Sequence, residues 1–572
     1  MSGTGLRKGL TQYGDTEFSL FLRKAFIKGA GYSDDALDRP IVGITNTGSG
    51  FNPCHGNVPA LIDAVKRGVF LSGGLPIEFP TISIHESFSH PTSMYMRNLM
   101  SMDTEEMLRA LPLDSVVLIG GCDKTVPAQL MGAASVGLPA VQLVTGPMLS
   151  GSFQGQRVGA CTDCRGYWGK FRAGEISTED IAEVNDQLVS SFGTCCVMGT
   201  ASTMASLAEA LGIILPGSAT APAVSAERMR LAERTGEVAV HLIQQKLSIN
   251  QILTPEAFVN ALRVLFAIGG STNGLVHLAA VAGRLGMEID LHKINQISAE
   301  TPVLVNLKPS GTHYMEDFHK AGGVQAVLHE LKPQLNLDVM TVTGQTLGEL
   351  LQGSRVTYTP EVIKTREEPI HEQGGIAVLW GNLAPQGAII KQSSASAQLM
   401  EHEGRAVVFE DADDMALRID DPNLDVHPED ILVLKRVGPK GGQGMPEAGY
   451  IPIPKKLAQQ GVTDMVRISD GRMSGTASGT IVLHITPEAA VGGPLAAVQT
   501  GDRIRLSVKD KQIELLLSAE EIRQRLEASA SDRVLPDGLR GYKKLFLESV
   551  LQANEGVDFD FLQATEITRS IP

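Results

Sequence analysis

Several features are scarce in this 572-residue chain, and each scarcity removes a class of function. No run approaches the roughly 18 apolar residues of a membrane span. Met1 to Gly14 holds no apolar stretch that could form the core of a signal peptide. Cysteine is sparse: the six residues, at 54, 122, 161, 164, 195 and 196, are too few to staple a protein of this size. The chain therefore reads as cytosolic, with reduced thiols, and such cysteines are candidates for metal binding or catalysis. Positive charge is in deficit, with 49 basic against 64 acidic residues and a net charge of −15. A surface of that sign repels polyphosphates, so neither nucleic acid nor an anionic membrane is expected as a partner. An anionic small molecule stays possible, because a local metal can reverse the field inside one cleft. There is also no repeat period and no low-complexity tract.

What is present is a globular composition, 43% hydrophobic and 20% charged. A single core stops growing near ~250–300 residues, so at least two domains are expected. Runs at Arg39–Thr45, Phe79–His85, Ser115–Ile119 and Ala140–Val144 read as buried strands. Helical patterns lie between and after them, at Val58–Leu71, Thr104–Leu111, Ala128–Ser135, Ile181–Val189 and Ser202–Leu211. Strands alternating with helices predict an α/β fold on a parallel sheet. Lys364 to Gly375 is charged, ends in Gly-Gly and reads as a linker, which divides the chain into residues 1–370 and 371–572. Past it come β-rich runs at 376–380, 406–409, 431–437, 465–468, 481–485 and 503–508, then a helix over Ala519–Glu527. The second domain is expected to be mainly β, a barrel or a sandwich.

The cysteines sit in telling places. Cys54 lies in Asn52-Pro-Cys-His-Gly-Asn57, after the first predicted strand, and Cys122 lies in Gly120-Gly-Cys-Asp-Lys124, directly after the third. Cys195, in Gly193-Thr-Cys-Cys196, precedes a helix. Ligands of open α/β sheets bind beyond the carboxyl ends of strands, so these thiols can converge. The plainer reading of any one is a buried small residue, but glycine and polar flanks weigh against it. Three thiolates from distant loops suit an iron–sulfur cluster better than a structural zinc, which prefers paired ligands. Cys161-Thr-Asp-Cys164 is the rival: half a zinc site, or a redox pair if it opens a helix.

Other motifs are weaker. His85-Glu-Ser-Phe-Ser-His90 misses the zincin pattern by one residue, because i and i+5 do not share a helical face. Glu86 nonetheless follows a strand end. The glycine-dense Gly438–Glu447 is not a phosphate loop, and Ser469–Gly475 is not a nucleophile elbow. Taken alone, each is a turn.

In combination these motifs resemble the dihydroxyacid dehydratase and sugar-acid dehydratase family. The resemblance runs from Asn52-Pro-Cys-His55 to Pro487-Glu-Ala-Ala490. It passes through Gly121-Cys-Asp-Lys-Thr125, Gly269-Gly-Ser-Thr-Asn273, Gly381-Asn-Leu-Ala-Pro385, Gly438-Pro-Lys-Gly-Gly442, Asp470-Gly-Arg472 and Ser474-Gly475. It implies an α/β domain carrying a cluster, a barrel-like domain closing the cleft, and a homodimer or homotetramer. By motif, Cys54, Cys122 and Cys195 match the cluster ligands, while Glu86, Asp123 and Glu447 match ligands of Mg²⁺. Lys124 matches a lysine that some members carry carbamylated, and Ser474 matches the proposed base. The implied reaction removes the C2 proton and C3 hydroxyl of a 2,3-dihydroxy acid, giving a 2-keto-3-deoxy acid. A hard cation on oxygen ligands would stabilise the enediolate. Three cysteines, rather than four, would leave one iron position for the departing hydroxyl.

Two branches of the family compete. Branched-chain dihydroxyacid dehydratases generally show Ser-Asp-Gly in place of His85-Glu86-Ser87 and Cys-Gly-Gly at the third ligand. Glu86, Cys195-Cys-Val-Met-Gly-Thr200 and Ser474-Gly-Thr-Ala-Ser-Gly479 resemble instead the arabinonate or xylonate branch. An aldonic acid is therefore the expected substrate, with [2Fe–2S] as the expected cluster and [4Fe–4S] as its alternative.

Overall fold

Ile41-Val-Gly-Ile-Thr-Asn46 buries five of its six residues and forms β1 of the computed structural model, which describes residues 4–10, 13–354, 359–528 and 538–571. It lies in a four-stranded sheet with β2 (Leu75–Pro80), β3 (Ser115–Ile119) and β4 (Ala140–Leu143). The order is β2-β1-β3-β4 and every pairing is parallel. Strands this apolar need cover. The helices Val58–Leu71 and Ala226–Gln245 supply it on one face, packed on each other and on the sheet. They cross closely because Gly68 and Gly236 face backbone: a Cβ on either would fall inside the carbonyl of Glu233 or of Val65.

The second strand is a correction to the reading of Phe79–His85. Pairing with β1 starts at Leu75 and ends at Pro80, with one further bond from Thr81 to Asn46. Beyond Asn46 the neighbouring chain turns away into the loop of Cys54, so residues 82–85 run extended without a strand partner. The strand–helix alternation also stops sooner than expected. After β4 come mainly helices, among them Thr200–Ala210, Pro255–Ala267, Asn273–Arg284 and Gly323–Leu331. Among the described residues no helix is long and apolar enough to cross a membrane.

Eight later strands close a barrel: β5 (Ala377–Gly381), β6 (Ala384–Ile390), β7 (Glu401–Phe409), β8 (Ile431–Leu434), β9 (Arg467–Ser469), β10 (Ile481–Leu483), β11 (Arg503–Ser507) and β12 (Gln512–Leu515). Their order around the barrel is β7-β8-β9-β10-β6-β5-β12-β11. Side chains alternate with the period of two that a strand imposes. Ala406 and Val408 join the interior with Ile431, Val433, Ile504 and Leu506, while Val407 and Phe409 pack outside with Leu432 and Leu434. Val378 and Ile389 face outward into the core of the α/β part, and so join the two halves.

Candidate active site

The loops that leave β1 and β3 place Cys54 and Cys122 together. Cys54 sits in the short turn Pro53–His55, Cys122 three residues after β3, and both are buried. His55 holds the two loops in register. Its Nε2 accepts the backbone N–H of Gly121 at 3.0 Å and of Cys122 at 3.1 Å, while Nδ1 donates to the Thr47 carbonyl at 2.9 Å. A nitrogen that accepts two N–H groups cannot carry a proton, and burial pushes the His55 pKa down to about 4. The Cys54 thiol is held well above its ordinary range, first by its hydrogen bond with Cys122 and then by burial. The ligand atoms of Cys54, Cys122 and His85 all lie within 4.8 Å of one another. The His85 Nδ1 accepts the N–H of Ser87 at 3.2 Å.

Cys195 lines the same cavity, but its Sγ stands 3.5 Å from that of Cys161. Cys161 caps the helix Thr162–Ala173, and Cys164 in its first turn donates to the Cys161 carbonyl at 2.6 Å. Cys196 points away and is buried with Met148, Val197 and Tyr314.

A charged layer forms the opposite side. The Lys124 Nζ is fully buried, 3.0 Å from Glu86 Oε2 and 3.5 Å from Asp123 Oδ2. Arg472, also buried, donates to Glu447 Oε1 at 2.7 Å, to Glu86 Oε2 at 3.0 Å and to Thr92 Oγ1 at 2.7 Å. Thr92 and Ser93 donate to Glu86 as well. Burial works to raise the Glu86 pKa, yet Lys124, Arg472 and these hydroxyls outweigh it and hold the carboxyl well below its usual range. Glu447 is raised, by burial and by the charge of Glu86. Lys124 is raised too: burial and Arg472 oppose its charge, but Glu86, Asp123 and Glu447 prevail. Two buried cations, Lys124 and Arg472, thus face three carboxylates, and Arg165 on the cavity wall approaches Glu447 Oε2 at 3.9 Å.

Ser474 comes from the loop after β9. Its Oγ shares a 2.8 Å hydrogen bond with Thr476 Oγ1. The turn rests on the first residues of the helix Thr200–Ala210: a Cβ on Gly475 would meet the Thr200 nitrogen and the Ser271 side chain. Asn273 anchors it, donating to the Met473 carbonyl and to Thr200 Oγ1, both at 3.0 Å. A helix N-terminus favours negative charge, and Gly199 and Thr200 line the cavity beside Ser474.

One cavity of about 710 Å³ brings these residues together. Cys54, Cys122, Cys195, Glu86, Asp123, Glu447 and Ser474 all line it; Lys124 lies directly behind the wall through Glu86 and Asp123. Trp168, Ile181, Val184 and Leu188 make an apolar flank. His55, His85, Arg472 and Thr476 were not singled out by sequence reasoning. Arg472 was present only inside a motif, and His85 only as half of a failed zinc pattern.

Residues 39–350 match the model described as dihydroxy-acid/6-phosphogluconate dehydratase N-terminal, and residues 361–557 match its C-terminal counterpart. The chain belongs to the dihydroxy-acid/6-phosphogluconate dehydratase family. It is 45% identical over 554 residues to L-arabinonate dehydratase of Rhizobium leguminosarum bv. trifolii, covering 96% of this chain and 95% of that one. It is 42% identical over 542 residues to 6-deoxy-6-sulfo-D-gluconate dehydratase of Pseudomonas putida, covering 94% and 93%. A dihydroxy-acid dehydratase of Desulfosudis oleivorans is 39% identical over 548 residues, covering 94% and 97%. The resemblance seen in the sequence is therefore borne out, and with it the expectation of a hydro-lyase. The donor chemistry of the cavity suits the groups that the sequence resemblance implies: clustered soft thiols on one side and oxygen donors on the other.

Proposed function

We propose that this dehydratase converts an aldonic acid to the 2-keto-3-deoxy acid. The observation that carries the proposal is the single cavity in which thiols, carboxylates and Ser474 meet. Cys54, Cys122 and Cys195 would hold a [2Fe–2S] cluster, and Glu86, Asp123 and Glu447 would hold Mg²⁺. Lys124 belongs to the same set: as an ammonium it pairs with Glu86 and Asp123, and as a carbamate it would add an oxygen. When bound, these groups supply Lewis acidity at the C3 hydroxyl and at the substrate carboxylate.

The chain's own residues do the rest. Ser474 Oγ takes the C2 proton, with Thr476 fixing its direction and the N-terminus of Thr200–Ala210 favouring the alkoxide. Arg472 and Lys124 hold the carboxylates of Glu86, Asp123 and Glu447 in place beside the developing enediolate. The enol then tautomerises in water.

The sugar-acid reading draws on the arabinonate and sulfogluconate relatives and on the Glu86 motif. A branched-chain dihydroxy acid is the second reading, favoured by the apolar flank of Ile181, Val184 and Leu188 and by the dihydroxy-acid dehydratase relatives. We further propose a cytosolic homodimer or homotetramer. The exposed Phe18, Phe21 and Phe26 of the helix Thr16–Gly29 support a second copy as partner. A keto-acid assay of anaerobically purified enzyme across pentonates, hexonates, glycerate and 2,3-dihydroxyisovalerate tests the substrate. Preference for a pentonate or hexonate is expected; preference for the branched acid overturns the substrate choice, and no keto acid from any overturns the reaction.

A further inference from the structure

The proposed reaction leaves Cys161 and Cys164 without a task, although both line the catalytic cavity. Their setting has the parts of a dithiol redox pair. The Cys-x-x-Cys opens a helix, with Cys161 at the cap and Cys164 in the first turn. The Cys164 thiol donates to the Cys161 carbonyl at 2.6 Å, and the Cys161 Sγ is 3.5 Å from the Cys195 Sγ. A disulfide needs about 2.05 Å, so the Cys161 and Cys195 sulfurs bond after an approach of about 1.5 Å.

Both intervening residues are clamped. Thr162 Oγ1 donates to the Thr476 carbonyl at 2.9 Å. Asp163 accepts from Lys308 Nζ at 2.6 Å, from the Tyr314 hydroxyl at 2.7 Å and from the Gly159 N–H at 2.9 Å. Lys308 also stacks over the Tyr314 ring. The pair is thus fixed against Cys195 by contacts from three separate segments, and neither of its thiols is fully buried.

We propose that Cys161 and Cys164 form a redox relay that rescues Cys195 when an oxidant has reached it. The role given to Cys195 rests on the function proposed above. With a peroxide as oxidant, the Cys195 thiolate attacks the O–O bond and becomes a sulfenic acid, releasing the first water. The Cys161 thiol displaces the second water and forms a Cys161–Cys195 disulfide. The Cys164 thiol then attacks the Cys161 sulfur, and Cys195 leaves as a thiolate. One peroxide is reduced to two waters, and the two electrons come from Cys161 and Cys164, now joined. A dithiol reductant resets the pair. Without the relay, Cys195 continues to sulfinic and sulfonic acids, which are not recovered.

The test exposes holoenzyme to hydrogen peroxide, with and without prior removal of iron by a chelator. Free thiols are then alkylated and disulfides mapped by mass spectrometry without reduction. Wild type is expected to yield a Cys161–Cys164 link, and Cys164→Ser a trapped Cys161–Cys195 link. Cys161→Ser is expected to show severalfold more Cys195 sulfinic and sulfonic acid, and severalfold less iron taken up on later reconstitution. Absence of both links, or Cys195 over-oxidation unchanged in Cys161→Ser, overturns the relay. The wild-type map needs no variant to fold. Iron content and visible absorption of untreated wild type test the cluster separately, because thiol mapping does not require iron.

Discussion

Replacing His55 by alanine removes one ring that serves two loops. The Gly121 and Cys122 N–H groups that it accepts are buried and, without the ring, have no acceptor. Each orphaned donor costs about 1–3 kcal/mol, so a loss of about 2–6 kcal/mol is expected at the Cys122 loop. The pH dependence gives an independent signature. In the fold the His55 pKa is about 4, whereas the free side chain titrates near 6.5. Its neutral form is the one the fold accepts, so the stabilisation is complete above the unfolded value and drains away as pH falls toward 4. That interval corresponds to about 3 kcal/mol. In His55→Ala this part of the acid slope disappears, while His484, lowered by burial to about 3, still contributes its own. Urea unfolding at several values between pH 7.5 and 4.5 measures the slope, and hydrogen exchange at residues 118–125 localises the loss. A variant as acid-sensitive as wild type, with Gly121 and Cys122 still protected, refutes the reasoning.

Other perturbations separate the two sides of the cavity. Cys122→Ser is expected to give colourless protein, depleted of iron and inactive, read by iron analysis and the visible spectrum. Ser474→Ala is expected to lower kcat by about 10²–10⁴ with KM little changed and with iron and magnesium retained, which distinguishes a lost base from a lost site. Arg472→Met leaves Glu86 and Glu447 without their shared partner and is expected to cost about 3–5 kcal/mol, seen as a lower melting temperature. Arg472→Lys, which cannot span both carboxylates, is expected to fall between. Treatment with a magnesium chelator is expected to abolish activity without bleaching the protein, and added Mg²⁺ to restore it.

The legible parts of the sequence were those with local causes. The helix Val58–Leu71 and the strand Ser115–Ile119 appear with the expected ends, because their apolar patterns are flanked by glycine and polar residues. The β-rich pattern alone leaves barrel and sandwich open, and the family resemblance is what selects the barrel that the structure shows. Its strands β6 and β12 went unseen: β6 contains Pro385 and Gly387, and β12 is the short Gln-Ile-Glu-Leu. Each folds back as a hairpin on the strand just before it, so pairing rather than its own propensity makes it a strand. The same distinction divides the site. Cysteines and acids announce themselves by type and setting, whereas the roles of His55, His85 and Arg472 depend on where chain folding delivers them. Nothing local tells that Arg472 will meet Glu86, 386 residues away.

That long-range pair also resolves an apparent conflict of charge. A protein of net charge −15 is an unpromising host for a carboxylate ligand if its charge is taken as a whole. Inside the cavity the balance is local: two buried cations are shared among three carboxylates contributed by both halves of the fold. Glu86 is held low because both cations reach it, whereas Glu447 is raised first by burial and then by the charge of Glu86, which Arg472 and Lys124 only partly offset. Arg165 adds a third cation, 3.9 Å from Glu447, and makes a further ion pair between the barrel and the α/β part. The carboxylate of a substrate would then meet a site with its own anions already neutralised.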